Sequence, residues 1–270
     1  MKDFVVGSVA RNEDFWFRDS FVDELWDALR KHNVLLLAPR RTGKTSVMYR
    51  LLDQPREGWL VIHLNVEEVD SPAEFIVHLM DALHEHQPDF LRETLSKSWQ
   101  FLGNLFGRIQ SIEAFELKVE LRKAEELKDW KRTAEQLLQR IMATDRTVLF
   151  IVDEFPDMLN TIRERSQAEH ETFLHWFRNL REKTLAGNVR WLVGGSVNLF
   201  ARLDQGGQNR LVNDLKIERM PCFTEEEVRA FVTCMLTAHK VPFDATVIPC
   251  IQELLGKPIA IFLQMFTQEL

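Results

Sequence analysis

The chain has 270 residues, of which 45% are hydrophobic and 28% charged, and this composition argues against a largely disordered protein. Its 34 basic and 41 acidic side chains give a net charge of −7, which disfavours non-specific binding of nucleic acid by the chain as a whole. Three cysteines without a CxxC pair predict reduced thiols in a cytoplasmic protein rather than a disulfide framework or a zinc site. The apolar runs are too short to span a bilayer, so we expect no membrane segment.

Strand and helix patterns alternate along the first 220 residues. Apolar runs predict strands at 34–37, 60–64, 147–152 and 189–193, a fifth at 215–217, and an inserted strand at 111–121. Helical spacing of apolar residues predicts helices at 21–29, about 43–52, after Ser71, at 133–142 and around 173–180. Repeated strand–helix units predict an α/β fold, with a parallel sheet covered by helices on both faces.

Beyond Pro221 only helical patterns follow, after Thr224, at 247–255 and at 259–266. We therefore expect two parts: a core over residues 1–220 and a small all-helical lid over residues 221–270. The last predicted helix is apolar and has no evident stop signal, from which we expect a further C-terminal domain after the lid.

A phosphate-loop pattern follows the first strand directly and opens a helix. It comprises Ala38, Pro39, Arg40, Arg41, Thr42, Gly43, Lys44, Thr45 and Ser46, and it differs from G-x-x-x-x-G-K-[ST] only in having alanine at the first position. The backbone amides of such a loop and the start of its helix bind phosphate, the lysine reaches the β- and γ-phosphates, and the Thr45 hydroxyl binds Mg²⁺. A chance match is the alternative, but the flanking strand and helix favour a nucleotide-binding loop.

Two acids end the third core strand. Asp153 and Glu154 come directly after the apolar run at 148–152, and the carboxyl ends of parallel strands meet at the edge where ligands bind. At this edge Asp153 is expected to hold Mg²⁺, and Glu154 to orient and deprotonate the attacking water. The alternative is an ordinary helix cap, since aspartate is a favoured cap residue. No Asn/Thr-Lys-x-Asp string specifies guanine, so we expect an adenine nucleotide.

Together these residues resemble the archaeal ATPase family, a branch of the STAND/AAA+ P-loop ATPases related to origin-recognition-type proteins. The resemblance rests on Phe17-Arg18, on the run from Pro39 to Ser46, on Asp153-Glu154 with Pro156, on Gly194-Gly195-Ser196 and on Gly256-Lys257-Pro258. It covers nearly the whole chain, although Phe17 stands where the family has glycine. It implies the additional-strand P-loop NTPase fold, with sheet order 5-1-4-3-2 and a helical lid, often followed by a winged-helix domain.

The resemblance also implies roles for residues outside the two motifs. Ser196 would sense the γ-phosphate or hold the attacking water, and Arg210 would be an arginine finger acting within the chain or across an oligomer interface. Phe17, Arg18 and Pro258 would flank the adenine. The alternatives are a plain strand-end turn for Ser196, a solvated loop arginine for Arg210, and packing alone for Phe17 and Pro258. Arg40 and Arg41 would contact phosphate, or else face acids and solvent.

The sequence favours an ATP-binding, Mg²⁺-dependent ATPase that acts as a conformational switch, with Lys44, Glu154, Ser196 and Arg210 as its catalytic residues. The first alternative is a nucleotide-gated binding module that holds ADP or ATP with little turnover. A P-loop kinase is a further alternative, but the helical tail shows neither an arginine-rich lid nor an acceptor pocket. A homo-oligomer, and a protein or DNA partner reached through a C-terminal region, are compatible with the family.

Overall fold

The computed structural model describes residues 9–96, 129–196, 212–244, 246–256 and 259–269. The predicted inserted strand at 111–121 lies outside the described residues, as do the candidates Arg210 and Pro258. Ser196 is described in its backbone only. Within the described part of the chain, no helix is long and apolar enough to cross a membrane.

Five parallel strands form one sheet. They are β1 (Val34–Ala38), β2 (Trp59–Asn65), β3 (Thr147–Asp153), β4 (Val189–Ser196) and β5 (Lys216–Arg219). Their order across the sheet is β2-β3-β4-β1-β5, which confirms the predicted order 5-1-4-3-2. All five residues of β1 are buried, because helices cover both faces of this internal strand and both of its faces must be apolar.

Seven helices among the described residues surround the sheet. They are α1 (Asp19–Leu29), α2 (Lys44–Asp53), α3 (Pro72–His86), α4 (Pro88–Ser96), α5 (Trp130–Met142), α6 (Phe155–Arg165) and α7 (Gln167–Leu185). The apolar faces of α1 and α2 share one core cluster with Leu36 and Ile151 of the sheet. The helices from α3 to α7 share another cluster with Leu35 and Phe150. The alternation of neighbouring strand residues between two clusters confirms helices on both faces of the sheet.

Three further helices follow the sheet. They are α8 (Glu225–Ala238), α9 (Val247–Leu255) and α10 (Ala260–Gln268), as the sequence pattern predicts. Thr224 begins α8 with a full capping box, since its hydroxyl accepts from the Glu227 amide and the Glu227 carboxylate accepts from the Thr224 amide. These helices have their own core cluster, against which Trp16 and Phe17 pack. The assignment of residues 221–270 as a separate lid stays a prediction.

Two helices, α4 and α6, are absent from the sequence-based prediction. The helix α4 is only nine residues long and has few apolar positions, which is a short segment on which to recognise a helical pattern. The start of α6 coincides with the acidic strand end, where Glu154 is the cap residue and Pro156 lies in the first turn. A proline there is compatible with a helix because the first amides of a helix have no partner within it. At this point the chain therefore passes directly from β3 into a helix.

Candidate functional site

The loop between β1 and α2 is a tight turn. Gly43 has a φ of +91°, a left-handed backbone conformation that glycine adopts without strain, and α2 begins at the next residue. The Thr42 hydroxyl donates to the Pro39 carbonyl at 2.8 Å, which closes the turn from inside. Arg40 is exposed and lies 3.8 Å from Asp157, and Arg41 is exposed as well. The two arginines of the loop are thus solvent-exposed, and both also border the cavity described below.

Residues from the two sequence motifs meet at the start of α2. Lys44 Nζ lies 2.6 Å from Asp153 Oδ1, and the Thr45 hydroxyl donates to Asp153 Oδ2 at 2.8 Å. The side chain of Asp153 is 4% exposed and that of Lys44 is 12% exposed. A buried carboxylate with an ammonium group and a hydroxyl on its two oxygens is a well-satisfied charge. The sequence-predicted residues Lys44, Thr45 and Asp153 therefore form one cluster.

Gly194 lies beside this cluster, on the strand between β1 and β3. A Cβ atom at position 194 would lie 2.9 Å from Asp153 Oδ1, 3.3 Å from Lys44 Nζ and 2.6 Å from Met48 Cε. Glycine is therefore the residue that leaves room for the ion pair. In the sequence, Gly194 is recognisable only as part of the motif before Ser196, because its role depends on β4 lying between β1 and β3.

The two acids at the end of β3 have opposite pKa shifts. Burial opposes ionisation of Asp153, but the Lys44 ammonium and the hydrogen bonds from Lys44, Thr45 and the Glu154 amide hold its pKa below the usual value. Burial raises the pKa of Glu154, and the negative charge of Asp153 adds to that effect against the attraction of Lys44, whose Nζ lies 3.4 Å away. Asp153 is thus the fixed anion and Glu154 the better proton acceptor.

Glu154 also has an unusual backbone. Its φ is +58°, a left-handed conformation that is uncommon for a residue other than glycine, at the junction of β3 and α6. Its amide donates to Asp153 Oδ1 at 2.9 Å. Such a conformation costs free energy of order 1–3 kcal/mol and clusters at functional sites. Here it turns the Glu154 side chain toward the cavity that the loop borders.

A cavity of about 540 Å³ lies between the loop, the segment before α1 and the last helices. One end is polar and is formed by residues 38–46 with Glu67, Glu154 and Asp157. The other end is mainly apolar, and its lining residues include Trp16, Phe223, Phe231, Ala260, Leu263 and Gln264, while the apolar Met220 lies beside the loop at Thr42. A polar end joined to an aromatic end matches the shape of a nucleotide, which has a phosphate tail and a flat base.

Arg18 borders the cavity from the core side. It is 4% exposed, its Nη1 donates to the Pro221 carbonyl at 2.6 Å, and its guanidinium lies 4.2 Å from the centre of the Phe223 ring. Burial lowers the pKa of Arg18, while the nearby Glu227 and Cys222 act in the opposite direction. The predicted nucleotide contact Arg18 therefore also contacts the beginning of the lid.

Ala38, Ser46 and Phe17 are further sequence-predicted site residues, and they lie in different surroundings. Ala38 is buried at the end of β1, opposite Ser196 in register, and Ser46 accepts a hydrogen bond from the Ala10 amide at 3.0 Å. Phe17 packs against Trp16 and Phe223 and is not among the cavity-lining residues, whereas its neighbour Trp16 is.

Sequence reasoning missed Trp16 and Gln264. No motif contains either residue, and only the folded chain brings them to the cavity.

No protein-family model matches the chain, and no curated protein matches it. Solved structures do match it in fold. The Aeropyrum pernix ORC2 protein in its ADP form has a TM-score of 0.54 at 10% identity, covering 94% of this chain and 63% of that one. The same protein in ADPNP–ADP complexes has a TM-score of 0.53 at 10% identity, over 87% of this chain and 56% of that one.

A third match is the Drosophila ORC bound to DNA, with a TM-score of 0.53 at 13% identity over 93% of this chain and 60% of that one. The present chain thus spans less than two thirds of each of these proteins. The fold is that of the P-loop AAA+ class, and within that class it is similar to the fold of origin-recognition proteins. The resemblance inferred from the sequence is confirmed at the level of the fold.

Proposed function

We propose that the chain is an ATP-binding, Mg²⁺-dependent ATPase whose turnover moves the lid. The single observation that carries this proposal is the contact of Lys44 and Thr45, which line the polar end of the cavity, with the buried carboxylate of Asp153, while Glu154 lines the same end. The loop amides and the start of α2 bind the phosphates, and the aromatic end holds the base. An ATP analogue and ADP were bound in the structures of the fold neighbours, which agrees with this assignment.

The oxygen atoms at the start of α2 fit a magnesium ion. The Thr45 hydroxyl and the Asp153 carboxylate are hard oxygen donors 2.8 Å apart, and Mg²⁺ is commonly held by one or two such groups together with waters and substrate phosphates. The bound ion would neutralise phosphate charge. Lys44, which now pairs with Asp153, is long enough to turn from the carboxylate toward a phosphate oxygen when the nucleotide enters.

In this proposal Glu154 is the general base. The raised pKa of Glu154 lies closer to neutral pH than that of an ordinary glutamate. Its carboxylate therefore accepts a proton from water more readily. Ser196 and Arg210 are proposed to assist, Ser196 by holding the attacking water or the γ-phosphate and Arg210 by stabilising the transition-state charge.

A nucleotide-gated binding module is the second candidate function. One observation favours it: among the described residues, the lid contributes only Phe223, Phe231, Ala260, Leu263 and Gln264 to the cavity. None of these carries a positive charge, so this part of the lid does not supply the cation that speeds phosphoryl transfer in many ATPases. Such a module would hold ADP or ATP with little turnover.

The partner is proposed from the fold alone. One fold neighbour is a DNA-bound complex, so a DNA or protein partner reached through a C-terminal region, and assembly into a homo-oligomer, are compatible with the fold. The three cysteines of this chain are free, which agrees with the proposed cytoplasmic location.

Steady-state phosphate release from ATP and Mg²⁺ tests the proposal. Glu154→Gln keeps the size of the side chain and removes the base, so we expect release to fall by about 10²–10⁴-fold while ATP still binds. Lys44→Ala removes the phosphate contact, so we expect it to abolish nucleotide binding in calorimetry. Equal phosphate release by wild type and Glu154→Gln would favour the binding module, and absence of heat on titrating wild type with ATP or ADP would overturn both functions.

A further inference from the structure

We propose that Arg18 is a positioning residue that links the bound nucleoside to the hinge, defined as residues 220–224, where the chain passes from β5 into α8. The inference rests on the proposed nucleotide function. It gives Arg18 a second task beyond the expected contact with the base: holding the start of the lid in place when the cavity is filled.

The hinge side of this link is already formed. Arg18 Nη1 donates to the Pro221 carbonyl at 2.6 Å, and the guanidinium plane lies over the Phe223 ring at 4.2 Å. Glu227, in the first turn of α8, attracts the same cation. One side chain from the segment before α1 therefore contacts the hinge through a hydrogen bond and a cation–π interaction, 203 residues further along the chain.

The nucleoside side of the link has a free donor. Arg18 is 4% exposed and borders the cavity, and its Nε is buried without a hydrogen-bond partner among the described residues. A buried donor left unpaired is costly, and most such groups in folded proteins find a partner. A nucleoside brings acceptors into the cavity, namely ring nitrogens and ribose oxygens. We assign one of them to the Nε–H group.

The shape of the guanidinium makes the two contacts dependent on each other. Its donors form a rigid planar fork, so Nε and Nη1 cannot move independently. A nucleoside that accepts from Nε fixes the plane, and the fixed plane keeps Nη1 on Pro221 and the cation on Phe223. When the nucleoside leaves, the guanidinium plane is free to rotate. The hinge then loses its two contacts with Arg18 more easily.

Hydrogen–deuterium exchange of the full chain, with and without saturating ADP, tests the link. In wild type, ADP should slow exchange in the loop at 39–46 and in the hinge, because both become ordered. Arg18→Lys keeps the charge but has no fork. We expect it to weaken ADP binding about tenfold and, at saturating ADP, to lose protection of the hinge while keeping protection of the loop.

The control is Arg56→Lys, because Arg56, like Arg18, lies over an aromatic ring, that of Trp26, but it pairs with the carboxylates of Asp23 and Asp27 away from the hinge. It should behave as wild type. A purely structural role of Arg18 would raise hinge exchange equally with and without ADP, and that result would overturn the proposal. Wild-type hinge protection in Arg18→Lys would overturn it too.

A second variant, Phe223→Leu, keeps the hinge apolar and removes the ring beneath the guanidinium. It should lose part of the ADP-dependent protection of the hinge, which keeps the proposal testable if Arg18→Lys fails to fold. Protection of the loop without protection of the hinge in wild type would contradict the link alone. Protection of neither region by ADP would contradict the nucleotide function, and the link with it.

Discussion

Asp153 and Glu154 are neighbours in the chain but differ in environment. Asp153 accepts hydrogen bonds on both oxygens and is held ionised beside Lys44, whereas Glu154 is partly buried near the negative charge of Asp153. The difference arises because Asp153 ends a buried strand, whereas the left-handed backbone of Glu154 turns its side chain toward the cavity. Two adjacent carboxylates thereby suit two tasks, metal binding and proton transfer.

Gly194→Ala is expected to disturb this cluster. The added methyl would meet Asp153 Oδ1 at 2.9 Å and Lys44 Nζ at 3.3 Å, so the ion pair must separate or β4 must shift. Overpacking of this kind costs about 1–3 kcal/mol of stability, and we also expect weaker nucleotide binding. Urea unfolding and calorimetric titration with an ATP analogue and Mg²⁺ measure the two effects.

The control for this substitution is Gly187→Ala. A Cβ atom at position 187 would lie 3.1 Å from the Met142 sulfur, part of a flexible side chain remote from the cavity. This variant should bind nucleotide as wild type does. Unchanged affinity in Gly194→Ala would show that the crowding around Lys44 and Asp153 has no bearing on the site.

At the scale of elements, β5 is fixed to the rest of the sheet at both of its ends. Just before the strand, Asp214 accepts from Arg181 of α7 at 2.9 and 2.7 Å, and at its first residue the Lys216 amide donates to the Asn33 carbonyl at 2.8 Å. After the strand, the Met220 amide donates to the Leu37 carbonyl at 3.0 Å. These bonds hold β5 beside β1, and so they also set where the hinge begins.

Asp214→Ala should destabilise the chain strongly. Arg181 is 1% exposed and its guanidinium lies 4.6 Å from the centre of the Phe177 ring, so the variant leaves a buried cation without its carboxylate. Breaking a buried ion pair in this way costs about 3–5 kcal/mol, which urea unfolding would register.

Glu182→Ala is the matched control for this prediction. It removes the carboxylate of a half-exposed pair with Arg178 on the same helix, which is worth about 0.5 kcal/mol or less. Similar losses in the two variants would mean that burial of the Arg181–Asp214 pair contributes nothing to the position of β5.

For the molecule as a whole, the cavity lies where three separate parts of the chain meet. The segment before α1, the loop with the strand ends, and the lid all contribute to its lining. A ligand that binds there contacts elements from two core clusters at once, the one around α1 and α2 and the one within the lid. Binding should therefore stabilise core and lid together rather than the loop alone.

Thermal unfolding with nucleotide tests this coupling. At ADP or ATP with Mg²⁺ one hundredfold above the dissociation constant, we expect about 2.7 kcal/mol of added stability and a rise in the midpoint of roughly 5–10 °C. Chelation of Mg²⁺ should reduce the shift, and Lys44→Ala should abolish it. Two separate transitions, of which only one moves with nucleotide, would contradict the coupling of core and lid.

The sequence alone determined the local features of this protein. Burial of both faces of β1 requires an unbroken apolar run, and a phosphate loop requires glycine and lysine at fixed spacing, so strands, loop and acidic strand end could all be recognised from neighbouring residues. The capping box of α8 is local for the same reason. The sheet order was available only through the family resemblance, because pairing between distant strands leaves no local pattern.

Only the tertiary structure decided which distant residues share the cavity. Trp16 reaches it by packing on Phe231 of α8, with ring centres 5.1 Å apart, and the need for glycine at 194 follows from β4 lying between β1 and β3. Arg18 contacts Pro221 across 203 residues of chain. Contacts of this kind depend on how whole elements pack. A short stretch of sequence does not specify which residues of other elements will contact it.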